Sequence, residues 1–173
     1  MKLSETPLIN AATLHAGIQS LAAEISIAYS DTAFIMLTVL KGALHFSSDL
    51  QRALNPALDI TSEFIRVRSY EGTESNSRAQ ILYKPENSFA HKHVLIIEDI
   101  LDTGHTASVV QNYVANQKPA SIRFCTLLDK PDRRLVPVHA DFTGFTIDDH
   151  FVVGYGLDYN EQYRHLPEIY TLF

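Results

Sequence analysis

Hydrophobic positions along this chain switch between two periods, and the switches predict an alternation of helices and strands. Leu14, Ile18, Leu21, Ala22, Ile25 and Ala28 recur at helical spacing, which predicts a helix over about Thr13 to Tyr29. Ala33 to Leu40 is apolar except at Thr38, the pattern of a strand buried on both faces, and Lys41-Gly42 ends it. A second helix is expected from about Ala43 to Leu54, where Asn55-Pro56 stops it. Asp59 to Ser69 alternates as a strand, with Ile60, Ser62 and Phe64 on one parity and Ile65 and Val67 on the other. Tyr70 to Gln80 is polar and aperiodic, a loop long enough to imply function or mobility. A strand–helix unit over Val94 to Asn116 follows, then strands near Ser121–Leu128, Phe142–Ile147 and Phe151–Tyr155. This order predicts an α/β fold in one domain over residues 1–173. A mostly parallel central sheet is flanked by helices, and ligands sit at the strands' C-terminal edges.

Candidate chemistry concentrates in Val94-Leu95-Ile96-Ile97-Glu98-Asp99-Ile100-Leu101-Asp102-Thr103-Gly104-His105-Thr106. A β-branched apolar run delivers two adjacent carboxylates to a strand's C-terminal edge, and a tight loop then opens a helix. The backbone N–H groups and dipole of a helix N-terminus form an anion site. Gly104 lets the backbone approach a phosphate closely, and the Thr103 and Thr106 hydroxyls add donors. Glu98 and Asp99 only accept, so they face something other than phosphate: sugar hydroxyls or a hard cation such as Mg²⁺. Capping by Asp102 or Thr103 would explain the helix start but not two ionisable groups on a buried strand.

Composition narrows the classes. Hydrophobic residues at 46% and charged residues at 20% of 173 suit a globular domain. A net charge of −6 argues against a nucleic-acid surface. Residues 1–10 lack the apolar centre of a signal peptide, and the longest apolar run is far short of a membrane span of roughly 20 residues. A soluble cytoplasmic protein with neither nucleic-acid nor membrane partner is expected. Cys125, alone in its type, is expected to be a small buried hydrophobe. His91-Lys92-His93 lacks further ligands at zinc-like spacing.

The order acid-acid-x-x-Asp-Thr-Gly-x-Thr resembles the signature of the type I phosphoribosyltransferases, which bind 5-phosphoribosyl-1-pyrophosphate. Four further segments resemble the hypoxanthine (6-oxopurine) phosphoribosyltransferases, bacterial members above all: Leu40-Lys41-Gly42, Arg68-Ser69-Tyr70, Asp129-Lys130-Pro131-Asp132-Arg133-Arg134, and Phe151 to Tyr159 with Arg164 beyond. The resemblance implies a Rossmann-like core with a small hood formed by the chain ends, and purine salvage that gives IMP or GMP. It also implies Mg²⁺ as cofactor and a homodimer or homotetramer. Asp102, Thr103, Gly104, His105 and Thr106 would hold the 5′-phosphate, with Asp102 also the candidate base or hydrogen-bond acceptor for the purine N7 proton. Glu98 and Asp99 would take the ribose hydroxyls, directly or through metal. Lys41 and Gly42, after a non-proline cis bond, would bind pyrophosphate with Ser69, Tyr70 and Arg164.

The purine site implied by the resemblance is Lys130, Phe151, Val152 and Asp158, with Asp158 serving a second metal. A lysine before proline is held extended, which would aim Lys130 outward from the sheet edge. An ammonium donates and cannot accept, so it favours a 6-oxo over a 6-amino purine. Arg133 and Arg134 are expected to be solvated or subunit-facing. A regulator that only senses the ribose pyrophosphate, and a xanthine-preferring enzyme, are the alternatives. Ala43-Leu44-His45 and Arg68 depart from many relatives and bear on loop shape and lid electrostatics.

Overall fold

The computed structural model describes residues 2–68 and 79–173. Helix α1 (Ala11–Ala28) starts two residues before the apolar periodicity, because Asn10 caps it: its side-chain oxygen accepts from Thr13 N at 2.9 Å. Then come β1 (Phe34–Leu40), α2 (Leu44–Ala53), β2 (Ile60–Arg68), β3 (Gln80–Tyr83), β4 (His93–Leu101), α3 (His105–Ala115), β5 (Ser121–Asp129), β6 (Phe142–Thr146), β7 (Val152–Val153) and β8 (Tyr170–Thr171). Six strands form one sheet in the order β3-β2-β1-β4-β5-β6, parallel except for β3. That is the fold class expected from the sequence. Strand β3 was not expected; four residues at a sheet edge, mostly exposed, carry too little periodicity to read.

Helices α1 and α2 cover one face of the sheet, where Leu14, Leu21, Phe46 and Leu50 pack with Leu95, Ile97 and Leu127. Helix α3 covers the other, with Val110 and Val114 against Ile35, Leu37, Ile65, Ile96 and Phe124. Deleting any of these side chains would cost about 2–5 kcal/mol. Cys125 is fully buried, as expected.

The final strand expected over Phe151–Tyr155 shrinks to two residues. Gly154, Tyr155 and Gly156 all adopt positive φ, which turns the chain away after Val153. β7 pairs antiparallel with β8, while Leu3 bridges Leu172 and Ile9 bridges Ile169. Both chain ends thus build a small hood beside the C-terminal edge of the sheet. Ser69, Tyr70 and most of the polar loop lie outside the described residues.

Candidate active site

Strand β4 lies at the centre of the parallel sheet and runs through its two acids to Leu101, two residues beyond Asp99. Central position forces their burial: Glu98 is 7% and Asp99 9% exposed. Burial pushes Glu98 well above the ordinary carboxylate range, and the Asp99 charge beside it adds to the effect. Asp99 is raised more modestly, because hydrogen bonds from Glu98 and the backbone and the Arg164 charge oppose desolvation. Ile100 N donates to Asp99 Oδ1 at 3.0 Å, whereas Glu98 Oε2 is buried without a hydrogen-bond partner. A buried carboxylate oxygen left unpaired costs stability, so it marks a place built for a ligand.

The Lys41-Gly42 loop packs directly on this shelf. The Leu40–Lys41 peptide is cis, as the resemblance implies. A Cβ on Gly42 would lie 1.7 Å from Asp99 Oδ2, and one on Gly156 would lie 2.1 Å from the Gly42 carbonyl. Only hydrogen at both positions permits this stack. Arg164 closes it, donating to Gly156 O at 2.7 Å and forming an ion pair with Asp158 Oδ1 at 2.8 Å. Glu161 Oε2 bridges Arg164 Nη2 at 3.3 Å and Lys41 Nζ at 2.9 Å. Three separated segments, around residues 42, 99 and 164, therefore meet.

The tight loop expected to open a helix follows β4, with Gly104 at the N-cap of α3 in the left-handed region (φ 90°) and no side-chain cap. Neither Asp102 nor Thr103 caps the helix. His105 is its first residue and Thr106 its second. The loop is pinned from behind: Thr103 O accepts from Leu135 N and Val136 N, both at 3.0 Å. Arg134 donates to Asp102 O at 2.6 Å and also to Asp129. Arg133 Nε lies 3.2 Å from Asp102 Oδ1 and Nη1 3.5 Å from Asp149 Oδ2. The expectation that the pair is solvated or subunit-facing holds for Arg133, whose side chain is 46% exposed, and is corrected for Arg134, which is largely covered. Both grip the loop, since the 3-10 turn Pro131–Arg133 folds them back over it.

The orientation expected for Lys130 is also corrected. It is 5% exposed, its ammonium donates to His150 O, and its own N–H bonds Leu101 O at 3.0 Å. The side chain turns along the sheet edge, toward the hood, because that carbonyl satisfies one of its three donors. Phe151 follows His150 and leaves 47% of its surface open, with its ring edge-on to Tyr159 at 5.7 Å. Val152 is buried in β7, and Asp158 is held by Arg164 and by Glu161 N at 2.8 Å. Sequence reasoning missed Asp149 and Glu161, since loop acids signal nothing until the fold sets cations beside them.

Could this site hold Mg²⁺? Among the described residues no group of three or more His, Cys, Asp or Glu forms a self-sufficient cage. Mg²⁺ needs none, because it keeps waters and completes its shell with substrate oxygens around one or two carboxylates. The unpartnered Glu98 oxygen beside Asp99 fits such an ion. No described helix is long and apolar enough to cross a membrane.

Comparison with known proteins agrees with this geometry. A family model described as the phosphoribosyl transferase domain matches residues 10–160. The chain is 41% identical over 169 residues to the hypoxanthine-guanine phosphoribosyltransferase of Bacillus subtilis, covering 97% of this chain and 93% of that protein. It is 39% identical over 172 residues to the hypoxanthine phosphoribosyltransferase of Escherichia coli, covering 98% and 96%. The crystal structure of a hypoxanthine-guanine phosphoribosyltransferase from Bacillus anthracis matches with a TM-score of 0.90 at 34% identity, over 100% of both chains.

Proposed function

The chain belongs to the phosphoribosyltransferase family, and on that premise we infer that it is a purine-salvage enzyme. It transfers the phosphoribosyl group of 5-phosphoribosyl-1-pyrophosphate to hypoxanthine, and to guanine, releasing pyrophosphate. The observation that carries the site assignment is the meeting of Gly42, Asp99 and Arg164 beside a phosphate-binding helix start.

In this reading the α3 N-terminus, with Thr103, Gly104, His105 and Thr106, takes the 5′-phosphate. Glu98 and Asp99 face the ribose hydroxyls. The Lys41 and Gly42 backbone, Arg164 and the lid residues Ser69 and Tyr70 receive pyrophosphate. Backbone and guanidinium donors fixed before substrate arrives stabilise the charge that grows on it as the C1–O bond breaks. Glu98 and Asp99 would hold Mg²⁺ together with substrate oxygens, and Asp158 would serve a second ion; bound there, the metal would supply further charge neutralisation. Phe151 stacks on the purine, the Val152 main chain reads its edge, and Lys130 donates to the 6-oxo group with an N–H that His150 O leaves unused. Asp102 accepts the purine N7 proton or orients it, with its main chain tethered by Arg134.

Assembly as a homodimer or homotetramer fits the exposed Leu44 and Phe64 around an apolar cavity of about 480 Å³ beside Leu40 and Lys41. A cytoplasmic setting fits an anionic sugar phosphate that does not cross membranes unaided. Initial rates with the ribose pyrophosphate and Mg²⁺ test the reading across hypoxanthine, guanine, xanthine and adenine. Hypoxanthine or guanine is expected to turn over at least ~10³-fold better than adenine. Equal use of adenine, or no turnover of any base, would sink it.

A further inference from the structure

We propose that Asp149 sets the base specificity of this enzyme, as a positioning residue that keeps Lys130 an ammonium ion. The proposal rests on the reading of Lys130 as the purine's 6-oxo donor. Its starting point is a chain of alternating charge that no motif predicted: Lys130, Asp149, Arg133, Asp102. Lys130 Nζ lies 3.9 Å from Asp149 Oδ1, Asp149 Oδ2 lies 3.5 Å from Arg133 Nη1, and Arg133 Nε lies 3.2 Å from Asp102 Oδ1.

The charge state of Lys130 decides which purine it reads. An ammonium offers three donors and no acceptor, so with one donor on His150 O it still repels a 6-amino group and welcomes a 6-oxo group. A neutral amine carries a lone pair and would accept from a 6-amino group. Specificity therefore fails if the proton is lost. Burial works toward that loss. It lowers the affinity of Lys130 for its proton, the Arg133 charge from the 3-10 turn lowers it further, and only Asp102, from the loop after β4, and Asp149, from the loop before β7, oppose it.

Those two carboxylates are not equivalent during turnover. Both pair with Arg133, but Asp102 in the proposed reading also faces the purine N7 proton, so its charge is committed to the chemistry. Asp149 has no such duty. Its side chain is 54% exposed, which moderates the effect, while the burial of Lys130 keeps the pair less screened than a surface ion pair.

The test is kcat/KM for hypoxanthine and for adenine from about pH 6 to pH 10, on the full-length wild type and on Asp149→Asn, Asp149→Glu, Arg133→Gln and Lys130→Ala. Activity that needs the ammonium falls as pH rises through the Lys130 pKa. Asp149→Asn is therefore expected to move the alkaline fall for hypoxanthine to lower pH by on the order of one unit. Above it, the preference over adenine narrows roughly tenfold. KM for the ribose pyrophosphate stays at the wild-type value, and Asp149→Glu restores the wild-type profile. Arg133→Gln moves the fall the other way, a sign reversal that loop disorder does not produce. A wild-type profile for Asp149→Asn, or shifts of the same sign in both variants, overturns the proposal. Lys130→Ala separates the two levels. If it abolishes the hypoxanthine preference while Asp149→Asn matches wild type, only the role of Asp149 falls; if it keeps the preference, the reading of Lys130 falls as well.

Discussion

The shelf on β4 and the hood that faces it reach functional geometry by opposite routes. On β4, Glu98 and Asp99 are set by a buried strand at the centre of a parallel sheet, and one carboxylate oxygen is left without a partner. In the hood, the loop after β5 and the loop after β1, every charged group with a proposed role already has a partner, although Arg164 Nε is buried without one. Arg164 holds Asp158 and Glu161, Lys41 holds Glu161, and Lys130 holds His150 O. The shelf stores an unmet need that ligand fills, so its contribution is fixed before binding. Apart from that Arg164 N–H, the hood must exchange internal partners for substrate, so its contribution is largely a difference between two paired states. Rigid demand gives rate enhancement, and exchangeable partners give selectivity.

The largest effect should come from breaking the shelf's rigidity. Gly42→Ala drives a methyl into the Asp99 carboxylate and is expected to lower kcat/KM for the ribose pyrophosphate by ~100-fold or more. A loss under about threefold in steady-state assays would mean that the stack yields, and the comparison would fail.

Glu98→Gln sharpens the contrast from the stability side. Because the folded state raises the Glu98 pKa above its unfolded value, the carboxyl costs stability as pH rises from that value through the folded one. The Gln variant, without ligand, should therefore melt higher than wild type, with a larger gap at pH 8 than at pH 5, while losing affinity for Mg²⁺ and the ribose pyrophosphate. Equal melting curves at both pH values would deny the stored cost.

Substitutions at the purine wall and at Glu161 should act on affinity alone. Phe151→Ala removes a half-exposed ring whose stacking is worth about 1–3 kcal/mol, so the purine KM should rise at least about fivefold with the melting temperature unchanged. Smallest of all, Glu161→Gln frees Lys41 and Arg164 from an exposed rival and should tighten pyrophosphate binding about two- to threefold by calorimetry. Weaker binding there would make Glu161 a support for Arg164 rather than a competitor.

The same division explains what the sequence disclosed. Glu98 to Thr106 lie within one strand–turn–helix, so local pattern predicted their elements. Lys130 was found by its place at a strand end, yet its direction was misread, because the His150 carbonyl that turns it inward comes from another segment. Arg133 is solvated as expected, yet the 3-10 turn folds it and the covered Arg134 onto the Asp102 loop, a contact that their sequence neighbours do not show. Asp149 and Glu161 carried no signal, since their meaning lies in cations separated from them by 16 and 120 residues. Ser69 and Tyr70 fall outside the described residues, and their lid role stands on the resemblance alone.

The division of labour is tested most directly by titrating the ribose pyrophosphate with Mg²⁺ onto wild type, the Glu98→Gln/Asp99→Asn double variant and Lys130→Ala in a calorimeter. The double variant is expected to lose affinity by ~100-fold. Lys130→Ala should bind the ribose pyrophosphate as tightly as wild type while failing to bind hypoxanthine afterwards. Wild-type affinity in the double variant, or equal losses in both, would contradict the account.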